Sequence, residues 1–520
     1  MDVSEAIMIS RIKSAVLFGL EGQVVDVETD LANGLPAYNI VGLPDATVKE
    51  SKERVRAAIK NSNLDFPMKR ITLNLSPAHT RKEGAHFDLP MAIGILTASQ
   101  QIKEKDAYDF AYLGELSLNG ALVGIRGILP LVITLRNQGI KRIVVPYENR
   151  NEAAIVEDVD IYPCHSLNEV VESLIGNKPW ESYTIPTDFF KQDVDVDSTI
   201  DFKEVVGQEH VKRAMEIAAA GAHNMLIIGP PGAGKTMLAR RFPTILPDLS
   251  YEEALEITKI YSVSGLLNSG SGLMKIRPFR SPHHTVSSTS LVGGGRMPKP
   301  GEVSLSHFGV LFLDEFTEFN RSALEVMRQP MEDEKVTISR VNGTVTYPAK
   351  FTLLASMNPC PCGFAGDMGS TQSCTCTPLE VKRYMSKVSG PLLDRIDLHI
   401  EVSAVKFEDL SGKTTEGKGT VEMKNMVDHA RMVQVSRYKG SRITYNSQLS
   451  GRQFKKYCQI DESTEAILEQ AFQKMKMSAR SYHKILKVAR TIADLDGHES
   501  ILMNHVLEAL QYRNLDRNYY

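Results

Sequence analysis

Met225-Leu-Ile-Ile-Gly229-Pro-Pro-Gly-Ala-Gly-Lys235-Thr236 decides the architecture of this 520-residue chain. Four apolar residues have the length of a buried strand, and the Gly-rich turn behind them opens a helix over 237–241 that Pro243 stops. Glycines leave no Cβ between the backbone N–H groups and a polyphosphate, so Gly229, Pro230, Pro231, Gly232, Ala233 and Gly234 form a phosphate cradle. Lys235 supplies a cation for the β and γ oxygens, Thr236 a hydroxyl for Mg²⁺, and the helix its positive end. The stretch predicts an ATP and Mg²⁺ site on a parallel α/β core.

Working outward, Gly309-Val-Leu-Phe-Leu-Asp314-Glu315 reads as a second buried strand that ends in two carboxylates. Asp314 is placed to hold Mg²⁺ through water and Glu315 to polarise the attacking water. A third strand, Phe351-Thr-Leu-Leu-Ala-Ser-Met-Asn358, ends in an amide able to orient that water. Gly390-Pro-Leu-Leu-Asp-Arg395-Ile-Asp397 then offers a guanidinium, and Ser478-Ala-Arg480 opens a helix with another. Phosphoryl transfer is mostly positioning and charge stabilisation, and a well-placed arginine contributes on the order of 10³ to 10⁵ in rate.

In this order the motifs resemble those of the AAA+ ATPases. The resemblance implies Walker A at 229–236, Walker B at Asp314 and Glu315, sensor 1 at Asn358, an arginine finger at Arg395 and sensor 2 at Arg480. It also implies a homo-oligomeric ring, usually of six, in which the finger reaches the neighbour's nucleotide. Val206 and Gln208 fall in the segment that lies along the adenine in such proteins.

Length allows about three domains. With 42% hydrophobic and 24% charged residues the chain reads as a soluble globular protein, and no apolar run approaches the length of a membrane span. Met1-Asp-Val-Ser-Glu has neither the basic start nor the apolar region of a secretory signal, so a cytoplasmic location without membrane contact is expected. A net charge of -3 confines any nucleic-acid site to a local patch.

Residues 1–172 alternate short strands and helices, with a hairpin turning at the glycines near 19–22 and a charged, apolar helix over 47–59. Lys82-Glu-Gly-Ala-His-Phe-Asp, Gly114-Glu-Leu-Ser-Leu-Asn-Gly, Gly124-Ile-Arg-Gly-Ile-Leu and the 139–149 stretch resemble the proteolytic domain of Lon. The nucleophile position of that Ser-Lys dyad falls at His86 and the lysine position near Leu129, which removes acyl transfer; Ser76 and Lys82 are the alternative hydroxyl and amine. The resemblance implies an α+β protease fold without protease chemistry, serving assembly or DNA contact as in the RadA recombination proteins.

Residues 173–200 read as a polar linker and 201–404 as the ATPase core. Within the core, an insert at 261–306 carries Arg277, Arg280, Arg296 and Lys299, a candidate phosphate-contacting loop or an ordinary basic surface. A hairpin at 334–348 turns at Asn342-Gly343. Similar arms in the AAA+ clade of magnesium chelatases and MCM helicases project into the ring's pore, which implies DNA contact by Lys335 and Arg340; a purely structural hairpin is the other reading. Cys360, Cys362, Cys374 and Cys376 form two close pairs that suit structural Zn²⁺, free thiols or a redox pair. Cys164 and Cys458 stand alone as buried small hydrophobes. Residues 405–424 read as a flexible loop and 425–520 as a C-terminal helical lid carrying Arg480.

Taken together, Gly42-Leu-Pro-Asp, Lys82-Glu-Gly, Arg280-Ser-Pro-His-His, Asn358-Pro-Cys-Pro-Cys-Gly and 389–397 resemble the YifB/ComM family over nearly the whole chain. These are magnesium chelatase-like AAA+ ATPases with a Lon-like N-terminal domain. The resemblance implies a hexameric ATP-driven helicase on single-stranded or branched DNA, promoting branch migration during recombination and natural transformation alongside recombination proteins. A chelatase-like or protein-remodelling motor without DNA activity is the alternative.

Overall fold

The computed structural model describes residues 9–186, 200–268, 270, 272–295, 298–340, 343–366, 373–403, 417–475 and 477–513. Contacts divide the chain into two compact units, Met1–Asp193 with Tyr251–Met274, and Val194–Ser250 with Lys275–Tyr520.

The first unit is built on a seven-stranded mixed sheet. Strands Ile9–Phe18 and Glu21–Ala32 form the expected antiparallel hairpin, in register from Ile9 opposite Asp30 to Phe18 opposite Glu21. Gly19 at its turn has φ 67, a conformation that glycine adopts without strain. Strand Arg70–Ser76 alternates buried and half-buried residues, as its sequence alternation requires, and pairs antiparallel with Glu21–Ala32. Helix Ala46–Asn61 buries Val48, Val55, Ala58 and Ile59 along one face and is N-capped by Asp45, which accepts from the Val48 N–H at 2.8 Å. Helix Asp88–Ala98 is buried on all sides.

Segment 251–274 also belongs to this unit, a correction to the expected start of the insert inside the ATPase core. Helix Tyr251–Ser264 buries Ile257 and Ile260, and Leu255 and Leu273 pack on the cluster around Leu129, Leu131 and Val132. Its polar groups are matched there too. Tyr251 Oη donates to the Ile155 carbonyl at 3.1 Å, and the Ser262 hydroxyl donates to Glu152. A polar sequence around Gly265 read as a loop of the core because its apolar face is short and interrupted.

The second unit holds a five-stranded parallel sheet in the order 279–280, 310–313, 352–357, 225–228, 398–401. Strands Met225–Ile228, Val310–Leu313 and Thr352–Met357 are buried throughout, as continuous apolar runs in a covered parallel sheet must be. Helix Glu209–Gly221 and the C-terminal helices Thr420–Arg437, Glu462–Met475, Ala479–Leu495 and Met503–Gln511 close over one core with them. A buried carboxylate, Asp494, ties the helical part together by accepting from Arg437 at 2.6 and 2.8 Å and from Asn446 at 2.8 Å. Of the expected linker at 173–200, residues 187–199 lie outside the described residues, while Trp180 packs on the first unit's core and Tyr183 pairs with Ile161. Of the expected loop at 405–424, residues 405–416 lie outside them, and helix Thr420–Arg437 begins within it, a correction to its end. Residues 514–520 are also outside the described residues.

Candidate functional site

Register in the parallel sheet assembles the site. Ile228 pairs with Met357 and Leu313 with Ala355, so Gly229, Asp314 and Asn358 emerge at the same carboxyl edge, where open α/β sheets bind ligands. Gly232 and Gly234 take φ 79 and 81, which lets the loop fold back and the helix Lys235–Arg241 begin. Lys235 Nζ bridges the Gly229 and Pro230 carbonyls at 2.7 and 2.9 Å and the Asn358 Oδ1 at 3.0 Å. Burial lowers its pKa, against the opposing pull of Asp314 and Glu315. A cavity of about 620 Å³ opens here, lined by Gly232, Lys235, Thr236, Asp314, Glu315 and Asn358 among others.

Thr236 Oγ1 donates to Asp314 Oδ2 at 2.7 Å, and the Ser356 hydroxyl donates to Asp314 Oδ1. A hydroxyl beside a carboxylate, both hard oxygen donors, suits Mg²⁺ held with phosphate and water. Glu315 sits at φ 54, a conformation that costs a non-glycine residue about 1 kcal/mol or more. His284 Nδ1 lies 3.2 Å from its Oε2. Sequence reading grouped His284 with the basic insert. Strand Phe279–Arg280, which ends four residues before it, pairs with Val310–Leu313, and that neighbour relation brings the imidazole to Glu315.

Arg383 and Lys387, which line the same cavity, were also missed. They lie on or just past helix Pro378–Met385, whose capping box at Thr377 and Glu380 was the local signal available. Tyr384 between them joins its hydroxyl to Thr317 at 2.6 Å.

Arg395 and Arg480 line a different cavity, of about 610 Å³. Arg395 donates to the Pro391 carbonyl at 2.6 Å and to Glu332, whose Oε1 is also 3.8 Å from Arg480. The finger and sensor 2 candidates are thus together but line a cavity other than that of Lys235. Lys484 forms an ion pair with Asp397 at 2.9 Å in the same cavity. Burial opposes ionisation of Asp397, but the Lys484 ammonium and His223 hold its pKa far below the usual carboxylate range.

Val206 is half-buried, and Gln208 donates to the Ser403 carbonyl at 2.8 Å, beyond the end of strand Leu398–Glu401. That strand pairs with the P-loop strand, Ile228 opposite Glu401. Neither residue lines the phosphate cavity.

All four clustered cysteines have sulfurs within 4.8 Å of one another. Sγ separations of 3.2 Å (Cys360 to Cys362), 3.7 Å (Cys360 to Cys374) and 3.5 Å (Cys362 to Cys374) compare with about 3.8 Å for the edge of a tetrahedron of thiolates around zinc, and are too long for disulfides. The Gly363 and Ala365 N–H groups donate to Cys360 Sγ at 3.2 and 3.3 Å. The donor set fits Zn²⁺. It would also stiffen the P-loop, because a Cβ at Gly363 would come within 2.7 Å of Pro231 Cδ. Cys164 and Cys458 are buried, and burial pushes both thiols up to about 12.

The basic insert behaves otherwise than expected. Arg277 donates to the carbonyls of Pro247, Phe308 and Asp248, at 2.6, 2.8 and 3.2 Å. Arg280 forms a two-point ion pair with Glu302, at 2.6 and 2.8 Å. Both guanidiniums are half-buried and already occupied by these acceptors, so a phosphate would have to displace them. Lys299 is exposed, and Arg296 lies outside the described residues. Strands Lys335–Arg340 and Gly343–Pro348 form the hairpin, Arg340 opposite Gly343; Asn342 is outside the described residues. Lys335 and Arg340 are exposed, while Val336, Ile338, Val345 and Tyr347 face inward.

In the first unit His86 is buried with Nε2 2.9 Å from the Ala15 carbonyl, and burial brings its pKa down to about 4. Leu129 is buried among apolar residues and Lys82 Nζ donates to the Pro77 carbonyl. His86 is buried and Leu129 has no polar side-chain atom, so neither expected dyad position presents the hydroxyl or the amine of a Ser-Lys dyad.

Magnesium chelatase subunit ChlI families match three stretches of the chain: residues 201–410, residues 27–149 ("Subunit ChlI of Mg-chelatase") and, for the C-terminal family, residues 417–513. "Competence protein ComM" of Haemophilus influenzae is 41% identical over 520 residues, covering 99% of this chain and 98% of that protein. "Uncharacterized protein YifB" of Escherichia coli is 40% identical and covers 98% of each. "Lon protease 2" of Bacillus subtilis is 28% identical over 187 residues, 33% of each chain.

Proposed function

The chain belongs to the YifB/ComM family of magnesium chelatase-like proteins, and from that membership we propose that it is a ring-forming motor that spends ATP to move along DNA. Its broader character, a magnesium chelatase-like AAA+ ATPase, follows from the family and its site. The specific activity we infer is that of a hexameric helicase promoting branch migration in homologous recombination or natural transformation. The name "Competence protein" carried by a relative supports that direction.

The observation that carries the reading is the separation of two half-sites. Lys235, Thr236, Asp314 and Glu315 surround one cavity, and Arg395 with Arg480 lines another. Hydrolysis needs both sets at one triphosphate. A closed ring brings one copy's arginines to the next copy's P-loop. In that arrangement Gly229 to Gly234, Lys235 and Thr236 hold the phosphates, Glu315 orients and deprotonates water, and Asn358 keeps Lys235 aligned. Bound Mg²⁺, held by Thr236 and Asp314, supplies charge neutralisation. Zn²⁺ on Cys360, Cys362, Cys374 and Cys376 has a structural role beside the P-loop.

Lys335, Arg340 and Lys299 are the cations proposed to meet DNA. The pairing of Arg277 and Arg280 with acceptors of this chain favours a second reading, a remodelling motor without DNA. Measuring ATP turnover with and without single-stranded and forked DNA separates them. Stimulation together with DNA retention supports the motor on DNA; identical turnover and no retention would assign another cargo.

A further inference from the structure

Glu332 stands where the two arginines and the hairpin meet. It lies on the short helix Arg328–Asp333; Glu334, at φ 53, ends that helix, and the hairpin strand begins at Lys335. Only two residues, Asp333 and Glu334, separate Glu332 from the first cation of the hairpin, Lys335. Its single carboxylate serves two guanidiniums, Arg395 directly and Arg480 at 3.8 Å. Arg395 is nearly covered, its side chain 10% exposed, yet its buried Nε has no hydrogen-bond partner among the described residues. Half of the Glu332 side chain faces solvent. The arginine is therefore under-satisfied by an acceptor that solvent already weakens, and a phosphate offering more charge and more acceptor atoms would replace it.

Neighbouring contacts give the helix a path to the hairpin. The Ala349 N–H donates to the Glu334 carbonyl at 2.8 Å, so both ends of the hairpin close on the residue after the helix. Gln448 donates to the Glu334 carboxylate at 2.6 Å, which fixes this corner to the helical part. Only Asp333 and Glu334 lie between Glu332 and the hairpin, so no loop is available to absorb a displacement of the hairpin.

We propose that Glu332 is a latch that neutralises Arg395 and Arg480 in the resting chain and withdraws from them when the hairpin engages its polyanion. This rests on the shared-site reading above and adds its control: arginines reach the neighbouring copy's nucleotide only after the hairpin is loaded. The latch makes turnover wait for cargo.

Glu332→Gln keeps the shape and removes the charge, and the exposed position makes unfolding a minor concern. ATP turnover is measured without DNA and with saturating single-stranded DNA, for the intact protein, Glu332→Gln and Arg395→Ala; nucleotide affinity is read with a fluorescent ATP analogue. The latch predicts that Glu332→Gln raises DNA-free turnover by up to about five-fold, the reach of a partly exposed ion pair. Its fold-stimulation by DNA drops by the same factor, and nucleotide affinity is unchanged. Unchanged or reduced DNA-free turnover in Glu332→Gln, with Arg395→Ala inactive, overturns the latch and leaves the shared site standing. Full turnover in Arg395→Ala overturns both. Wild-type turnover indifferent to DNA, with Arg395→Ala inactive, overturns the latch and the DNA cargo but not the shared site.

Discussion

The two cavities of the ATPase unit are nearly equal in size, about 620 and 610 Å³, and opposite in preparation. Around Lys235 the side chains assigned to phosphate, metal and water are already in contact with others: Lys235 with Asn358, Thr236 with Asp314, Glu315 with His284. In the other cavity Arg395 and Arg480 share one carboxylate, Glu332, that performs no chemistry in the proposed reaction. One cavity is a pre-organised receptor; the other is a donor kept in check. In the proposed ring, an active site divided this way would make hydrolysis a property of the assembly and would place its control at the half that has to be released.

Removing the donor tests the contrast most severely. Arg395→Ala is expected to lower turnover by about 10³-fold while ATP affinity stays unchanged, measured by steady-state hydrolysis and nucleotide titration. A lost affinity would mean that Arg395 serves its own copy's nucleotide, and the contrast would fail. On the receptor side, Glu315→Gln is expected to lower turnover by about 10²-fold and retain bound ATP; normal turnover would remove Glu315 as the group acting on water. Its neighbour His284 sharpens the point, because His284→Ala should lower kcat by less than Glu315→Gln and leave KM unchanged if the imidazole only positions Glu315.

Smaller effects follow at the margins of the two cavities. Charge reversal of Lys335 and Arg340 should weaken single-stranded DNA binding and reduce the slope of log affinity against log salt by about 1.4; an unchanged slope would detach the hairpin from DNA. Cys360→Ser should abolish the zinc that metal analysis is expected to find in the intact protein and weaken ATP binding by a few-fold at most, since the cluster meets the receptor through Pro361 and Gly363 and not through a phosphate-holding side chain. Full zinc content in that variant would remove Cys360 from the ligand set.

Much of the receptor was legible in sequence, because a P-loop and strands that end in Asp-Glu or Asn write their chemistry into consecutive residues. Parallel register did the rest, bringing Gly229, Asp314 and Asn358 to one edge. The donor side was legible only in part. Arg395 and Arg480 stood out as motif residues, but Glu332 gained its place from a helix 63 positions before Arg395, and no local pattern marks such a meeting. Similarly, Arg277 and Arg280 read as free cations because backbone carbonyls and Glu302 are invisible as partners until the chain folds. His284 was hidden for the converse reason: strand pairing, not spacing, delivers it to Glu315. Segment 251–274 was assigned by position in the chain, whereas its short apolar face fits the first unit.

Mixing two inactive proteins tests the divided site most directly. Lys235→Ala keeps the arginines and loses the receptor; Arg395→Ala does the reverse. The account predicts that ATP turnover, absent from each alone, returns when the two are combined and allowed to assemble. A mixture as inactive as its components would contradict it.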